Sequence, residues 1–405
     1  MALGNTLVSS IVSDAKQRMA EVGLNHGELR IGPCGDPFSY GIWYVKLNYP
    51  SDDLDSSPTA HSFPSQDSTC IHLYSRCWWW RHLPRPHVPG PRASSLSRPL
   101  TTPATSLINF TSEIIDPSYG GDPTHGSVNY LSKSQAQSAG LAKTTNGQVY
   151  VGVDSVNKAK LLGSSKTRHG RDSVRLESKA TYGNGLLIAD IEHMPGTACG
   201  VWPSFWSYNF DEDPVGEIDI IEGINDQSQN VVSLHTCGAC KFTKIGGLDE
   251  RPNCNNGGTE SEQCEDGTNY DGCGSTHASG SYGSAFNKGK GGVYAVWLES
   301  DALKIYWFNR QSIPADIKSG NPDPSKWGTP ASQFLSGSGC NVGKYFKGQT
   351  IIINTAFCGD NIDQGTWNEE CKASTGSKTC DDYVTNHPEA FKESYWLFNS
   401  IKYYQ

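Results

Sequence analysis

The sequence predicts an all-β fold, a β-sandwich, for the greater part of its 405 residues. Glycine (43 residues) and the aromatic residues (10%) are plentiful, whereas methionine occurs only three times. Such a composition is typical of many strands joined by tight turns rather than of packed helices. Strand-like segments are numerous, and the sequence has neither a long helical periodicity nor an internal repeat, which together favour a sandwich.

Residues 1–105 differ from the rest and are expected to form an irregular or disordered N-terminal region that ends in a linker. Pro, Ser and Arg dominate its last part, and such stretches cannot bury enough apolar surface to sustain a core. Residues 1–12 lack the basic start and the sustained apolar run of a secretory signal peptide. We therefore expect one folded domain, residues 106–405, to follow this region.

The segments after residue 110 supply the strands of the predicted sandwich. Turn residues precede a short alternating segment, and β-branched or apolar runs recur as far as the C terminus. The predicted strands are 127–131, 148–154, 172–177, 185–191, 216–223, 230–235, 293–298, 302–308, 350–354 and 396–403. Residues 199–206 are expected to form a Trp-bearing loop, and residues 237–292 a long loop region held by disulfides. Only residues 381–392 suggest a short helix.

Charge and cysteine content limit the possible partners. A formal net charge of −9 disfavours nucleic acid, which requires a basic face. No apolar run reaches the length of a membrane span, so we expect no membrane contact.

Thirteen cysteines, ten of them between Cys199 and Cys380, indicate disulfides and an oxidising compartment. The alternative is a zinc site with His235, Cys237 and Cys240 as half of its ligands, but no second Cys or His cluster completes it, and we expect no metal.

The most informative segment is the octet 216–223, in which three carboxylates lie among isoleucines. The β-branched isoleucines favour a strand, and in a strand Glu217 and Asp219 point to the same face. Glu222 lies an odd number of residues from Glu217 and would point to the other face, unless one β-bulge at residues 220–221 shifts the register. Three acids on one face of such a strand are costly unless they do chemistry. We therefore interpret them as catalytic rather than as solvated surface acids.

The octet resembles the bulged E-x-D-x-x-E signature of glycoside hydrolase family 16. Residues 200–206, 234–236 and 357–360 are similar to the fungal laminarinase-type endo-β-1,3(4)-glucanases, and the similarity extends from about residue 110 to the C terminus. The resemblance implies a concanavalin-like β-jelly roll whose concave sheet forms a sugar-binding cleft. It also implies a secreted, monomeric enzyme that hydrolyses β-1,3- or β-1,3-1,4-glucan at internal linkages, with retention and without a cofactor.

Eight residues are candidates for the site. The resemblance assigns the acids and matches Asn129 and Arg175 to glycan contacts, whereas side-chain chemistry suggests the others, with a structural role as the alternative for His235. Glu217 would be the nucleophile and Glu222 the acid/base, with Asp219 between them, where its hydrogen bond would hold the nucleophile. The rings of Trp202 and Trp206 would stack on sugar, although ordinary core packing is the alternative for both. The further candidate substrate-binding residues are His235, on the neighbouring strand, Asn129 and Arg175.

Two departures from the fungal pattern bear on substrate preference, and two other functions remain open. The fungal relatives usually carry Trp at the positions of Asp213 and Asn361, so the aromatic lining of the cleft would be thinner here. Transglycosylation of β-glucan is one alternative, because sugar as well as water can capture the glycosyl-enzyme. The other is a lectin-like glucan-binding protein without turnover, against which the intact Glu217 and Glu222 argue.

Overall fold

The computed structural model describes residues 28–33, 43–48, 110–112, 122, 124–162, 165, 169–209, 215–236, 240, 242, 244–251, 272–337 and 340–405. The chain divides into two compact units, Met1–Gly90 and Pro91–Gln405. In the first unit, strands β1 (Glu28–Pro33) and β2 (Trp43–Asn48) form an antiparallel pair. The predicted linker and the domain boundary after residue 105 lie outside the described residues, and that boundary stays a prediction.

Strands dominate the described part of the second unit, and its helices are short. The strands are β3 (Phe110–Ser112), β4 (Val128–Tyr130), β5 (Ala142–Thr145), β6 (Gln148–Gly152), β7 (Lys160–Leu161), β8 (His169–Ser173), β9 (Arg175–Tyr182), β10 (Gly185–His193), β11 (Val201–Tyr208), β12 (Gly216–Glu222), β13 (Val231–Thr236), β14 (Lys244–Gly246), β15 (Leu248–Arg251), β16 (Gly272–Thr276), β17 (Gly292–Leu298), β18 (Ala302–Asn309), β19 (Ser332–Leu335), β20 (Gln349–Phe357) and β21 (Tyr395–Tyr404). The helices are α1 (Lys133–Ser138), α2 (Gly283–Lys288), α3 (Ala315–Ser319), α4 (Val342–Tyr345), α5 (Gln364–Glu370), α6 (Lys372–Thr375) and α7 (Cys380–Asn386). Single 3-10 turns cover Arg310–Ser312, Pro324–Lys326, Asp360–Ile362 and Pro388–Phe391. Within the described ranges, no helix is both long and apolar enough to cross a membrane.

Two eight-stranded sheets form the sandwich. Sheet 1 has the order β14-β19-β18-β17-β10-β21-β6-β5, and sheet 2 the order β15-β16-β13-β12-β11-β20-β9-β3. Neighbouring strands in both sheets run antiparallel. A small third sheet, β4-β8-β7, contains a parallel pair. The predicted all-β sandwich is confirmed.

The main core lies between the two sheets. Phe205 of sheet 2 and Phe398 of sheet 1 are both buried, with ring centroids 5.9 Å apart. Ile218 and Ile220 of β12 belong to the same apolar cluster, whose burial supplies the main stabilising term of the fold. Because side chains alternate along a strand, the acids between these isoleucines face away from the core. The outer face of sheet 2 is therefore where the site must be sought.

The prediction of a loop at residues 199–206 was wrong. Residues 201–206 lie in β11, a largely buried strand between β12 and β20, and only residues 199 and 200 form a turn before it. Pro203 cannot donate to a strand ladder, because proline has no backbone N–H. It is tolerated here because pairing with β12 begins only at Ser204.

The region 237–292 and the helices also differ from the sequence prediction. Strands β14, β15 and β16 and helix α2 lie in the segment that was predicted as loop. Strand β16 has no β-branched run in its sequence, and its strand conformation follows from pairing with β13. The predicted helix at 381–392 corresponds to α7 and the 3-10 turn after it, but the other short helices were not predicted.

The described cysteines after residue 198 are all disulfide-bonded. Three bridges are Cys199–Cys371, Cys240–Cys340 and Cys358–Cys380. Because the sulfur of Cys240 is in a disulfide, it is no thiolate ligand, and the zinc alternative loses one of its proposed ligands. Cys237 lies outside the described residues.

Removing the Cys199–Cys371 bridge should lower the free energy of unfolding. The bridge joins residues 172 apart in sequence, and losing a native disulfide typically costs about 2–5 kcal/mol. Guanidinium unfolding of a Cys199→Ala, Cys371→Ala double variant measures the loss. The matched control is the Cys358→Ala, Cys380→Ala variant, which opens a loop of sequence separation 22 and should lose less. Unchanged stability in both variants would contradict the prediction.

Candidate active site

Strand β12 carries the three acids, and its pairing shows the bulge. On β11, Phe205 pairs with Ile221 and Trp206 with Asp219, so Ile220 is the extra residue. The ladder with β13 shifts at the same place, between Asp219 and Glu222. The bulge predicted at residues 220–221 is confirmed, and it changes the side of the sheet to which Glu222 points.

Asp219 lies at the centre of the three acids and is only 3% exposed. Its side chain is hydrogen-bonded to Glu217, and Nε2 of His235 lies 3.3 Å from its Oδ2. Burial, and after it the negative charge of Glu222, raises the pKa of Asp219 well above its usual range, while the hydrogen bond with Glu217 acts in the opposite direction. Asp219 therefore holds a proton to a higher pH than an ordinary carboxyl does, and the hydrogen bond joins it to the carboxyl of Glu217.

Stability relative to an Asp219→Asn variant should fall as the pH rises. Because the pKa is raised in the folded state, the contribution of this carboxyl is complete below its unfolded pKa, about 4, and is lost as the pH rises through the folded value. One proton changes the free energy of unfolding by at most about 1.4 kcal/mol per pH unit. Denaturant titrations of both proteins from acid to mildly alkaline pH measure the difference. Parallel pH profiles would show that folding does not shift the pKa of Asp219.

Trp202 fixes the side chain of Glu222. Its indole Nε1–H donates to Oε1 of Glu222 over 2.8 Å. The ring is 8% exposed because it packs in a second apolar cluster that includes Trp367 and Phe357. The structure therefore gives Trp202 a positioning contact that the sequence did not indicate, and little of its ring is open to a sugar.

Trp206 is the more exposed of the two rings and is held by polar neighbours. Its Nε1–H donates to Oδ1 of Asn354 over 2.7 Å, and the amide of Asn354 donates to the hydroxyl of Tyr130 over 3.1 Å. The guanidinium of Arg175 lies 5.0 Å from the ring centroid, a cation–π distance, and is paired with Glu177 at 2.8 Å. Trp206 lies four residues after Trp202 on β11, so both rings are on the outer face of sheet 2.

His235 lies directly opposite Glu217 in the β12–β13 ladder. Its ring covers Gly272 of the next strand, where a Cβ would lie 2.7 Å from the imidazole. The glycine thus allows the ring to lie flat against the sheet, with Nε2 turned to Asp219. Donor atoms of Glu217, Asp219 and His235 are all within 4.8 Å of one another. Such a set could hold a divalent cation, but the hydrogen bonds already described account for the arrangement.

Among the candidates that the structure describes, Asn129 is the one outside sheet 2. It is on β4, opposite Asp172, and its amide donates to the carboxylate of Asp172 over 2.6 Å. Its neighbour Tyr130 reaches the site instead, through Asn354. Asn361, one of the two departures, is exposed in the 3-10 turn after β20, and Asp213 lies outside the described residues.

Sequence reasoning missed three residues that build the site. Tyr130 and Asn354 hold Trp206, and Asn230 contacts the bulge of β12. None of them belongs to a motif. Tyr130 and Asn354 act through partners far away in sequence, whereas Asn230 acts on the backbone of the preceding strand β12. Only the strand register, which pairs Asn354 with Arg175, could have identified Asn354.

The comparison with known families agrees with this geometry. A family model described as the XgeA-like catalytic GH16 domain matches residues 118–404. The chain belongs to glycoside hydrolase family 16. The predicted β-jelly roll is confirmed by solved family 16 structures with which the chain superimposes.

Three relatives are similar to this family 16 chain over at least 70% of its length. An endo-1,3(4)-β-glucanase of Arthroderma benhamiae is 44% identical over 292 residues, which are 70% of this chain and 60% of the relative. The chain thus spans less than two thirds of that relative's length. A solved elongating family 16 β-1,3-glucosyltransferase is 39% identical, with a TM-score of 0.65, over 76% of this chain and 100% of that one. Laminarinase 16A of Phanerochaete chrysosporium, solved with 6-O-glucosyl-laminaritriose in donor and acceptor sites, is 33% identical, with a TM-score of 0.60, over 74% of this chain and 95% of that one.

Proposed function

We propose that the chain is an endo-acting hydrolase of β-1,3- and β-1,3-1,4-glucans that retains the anomeric configuration. The observation that carries the proposal is the bulged strand β12, which gathers Glu217 and Glu222 around the buried Asp219. A pair of carboxyl groups with different environments is what glycoside hydrolysis requires. The A. benhamiae relative, named an endo-1,3(4)-β-glucanase, supports the substrate class.

In the first step, the carboxylate of Glu217 attacks the anomeric carbon while Glu222 gives its proton to the glycosidic oxygen. The leaving sugar departs and a covalent glycosyl-enzyme remains. In the second step, Glu222 takes a proton from a water molecule, whose oxygen attacks the same carbon and releases Glu217. Two inversions give net retention. The proton on Asp219 is directed at Glu217, where it orients the nucleophile and lowers its basicity as a leaving group.

Substrate contacts in this proposal come from the outer face of sheet 2. Trp206, held by Asn354 and Arg175, offers an aromatic surface for the C–H face of a sugar. His235, 26% exposed at its side chain, is placed to contact a sugar hydroxyl beside Glu217. Asn129 remains a candidate only for a subsite away from the three acids. We further propose that the protein is secreted and acts as a monomer. The disulfides support the secretion, because they need an oxidising compartment.

Product analysis on laminarin, lichenan and cellulose tests the proposed activity. We expect short oligosaccharides from laminarin and lichenan and none from cellulose, with the β-anomer formed first by NMR. An α-anomer formed first would exclude the retaining mechanism. Binding without products would favour the lectin-like alternative.

Transglycosylation is the second candidate, and one observation favours it. One solved structure that this chain covers completely is that of a β-1,3-glucosyltransferase, and the glycosyl-enzyme on Glu217 can react with a sugar hydroxyl as well as with water. Incubation with concentrated laminari-oligosaccharides distinguishes the two. Products longer than the substrate would indicate transfer, and shorter products alone would indicate hydrolysis.

A further inference from the structure

A β-bulge breaks the hydrogen-bond ladder and leaves backbone groups of the extra residue without a strand partner. In β12 this break lies between Asp219 and Glu222, within the sheet interior. Ile220 and Ile221 are buried, so unpaired backbone groups here would be costly. Another group must satisfy them.

The side-chain amide of Asn230 fills this position. Its Oδ1 accepts from the backbone N–H of Glu222 over 2.9 Å, and its Nδ2 donates to the carbonyl of Ile220 over 2.8 Å. Asn230 is fully buried and immediately precedes β13. One amide thus bonds to both sides of the bulge, in place of the interrupted ladder.

Asn230 is itself held by hydrogen bonds from its own backbone and by the ring of His277. Its backbone N–H donates to Oγ of Ser281 over 2.9 Å, and its carbonyl accepts from the N–H of His277 over 2.8 Å. Nδ2 of Asn230 lies 3.5 Å from Nδ1 of His277, so its second hydrogen can be directed there. Nε2 of His277 lies 2.9 Å from Oγ of Ser332. Burial lowers the pKa of His277 to about 4, so the ring is neutral and able to accept at Nδ1. The amide therefore has one orientation that satisfies every neighbour.

We propose that Asn230 is a positioning residue, whose side-chain amide holds the bulge of β12 in the register that aims Glu222 at the glycosidic oxygen. The inference rests on the proposed role of Glu222 as acid/base. Two separate contacts then fix Glu222, one from Trp202 on its carboxyl and one from Asn230 on its backbone N–H. Without the amide, the strand can relax toward a regular register, which turns the side chain at this position toward the other face.

The test compares two substrates that differ in their need for an acid. Laminarin has a sugar leaving group that must be protonated, whereas a 2,4-dinitrophenyl β-laminaribioside has one that leaves without a proton. For Asn230→Ala we expect kcat/KM on laminarin to fall about 100-fold, the scale of a misplacement near 1 Å, and to change much less on the aryl substrate. The loss should be mainly in kcat, since the sugar-binding rings are untouched. Because both constants come from one sample, any inactive fraction cancels from their ratio.

Asn287→Ala is the matched control. Asn287, in helix α2, makes a comparable two-sided contact with the residue that follows β10, accepting from the N–H of Met194 over 3.0 Å and donating to its carbonyl over 2.8 Å. Its loss should lower both constants by the same factor. If Asn230→Ala does not fold, Asn230→Ser, which leaves room for a water molecule, is measured in the same way.

The outcomes separate this inference from the proposed function. Suppose that a folded Asn230 variant loses kcat/KM on both substrates by the same factor, while Glu222→Ala loses it selectively on laminarin. The positioning role is then overturned, and the proposed function is left intact. If Glu222→Ala itself treats both substrates alike, the acid/base assignment fails. A selective loss in Asn230→Ala, with Asn287→Ala showing none, supports the inference.

Discussion

Glu217→Ala should abolish the turnover of β-glucan, and added azide should restore cleavage with an α-glycosyl azide as the product. Deleting a catalytic nucleophile costs on the order of 10⁵-fold or more in kcat, because no covalent intermediate can form. Alanine leaves a space beside Asp219 that a small anion can enter. Azide then attacks from the side that Glu217 occupied, and a single displacement inverts the anomeric carbon. Reducing-sugar assays and NMR of the product measure both effects.

Glu299→Ala is the control for this experiment. Glu299 is a partly exposed glutamate paired with Lys304 in sheet 1, so its removal should leave turnover near that of the parent protein and give no response to azide. A β-glycosyl azide from Glu217→Ala would mean that the roles of Glu217 and Glu222 are reversed. Unchanged turnover would remove the catalytic assignment altogether.

The three acids show how environment, rather than residue type, separates their roles. Asp219 is almost fully buried, and desolvation is the largest cause of its raised pKa. Glu217 and Glu222 are only partly buried and face the side from which a sugar would approach. The proton of Asp219 thus lies between the two glutamates that act on the substrate, one as the nucleophile and the other as the acid/base.

The bulge could be predicted from the sequence, because the spacing of Glu217 and Glu222 requires it if both are to lie on one face of the strand. Glu217 and Glu222 are five residues apart, so a regular strand cannot present both on one face. The burial of the isoleucines follows from the same alternation. Local pattern therefore determines the catalytic strand and most of the core strands.

The supporting contacts could not be predicted because they depend on residues distant in sequence. Nothing near Trp202 indicates that its N–H meets Glu222, 20 residues later, so its ring was interpreted only as a sugar platform or core. Strand β11 was not predicted because its strand partner β20 lies far along the chain. Asn230 gives no signal of its own, since an asparagine before a strand is ordinary turn chemistry.

Glu222→Ala should separate natural from activated substrates. General acid catalysis contributes about 10²–10⁴-fold, so kcat/KM on laminarin should fall by that factor. Cleavage of a dinitrophenyl glycoside should retain most of its kcat/KM, because its leaving group departs without a proton and Glu217 is intact. The second step then lacks its base, so the glycosyl-enzyme should accumulate and appear as a burst of dinitrophenol in stopped-flow measurements.

Azide gives this variant a product opposite to that of Glu217→Ala. Here azide attacks the glycosyl-enzyme, which has already been inverted once, so a β-glycosyl azide is expected. Trp202→Phe is the matched variant, because it keeps the buried ring but removes the N–H that holds the Glu222 carboxyl. It should show the same substrate selectivity to a smaller degree and no azide product. If Glu222→Ala loses kcat/KM on both substrates by the same factor and shows no burst, Glu222 does not act on the leaving group. The acid must then be sought elsewhere on the outer face of sheet 2.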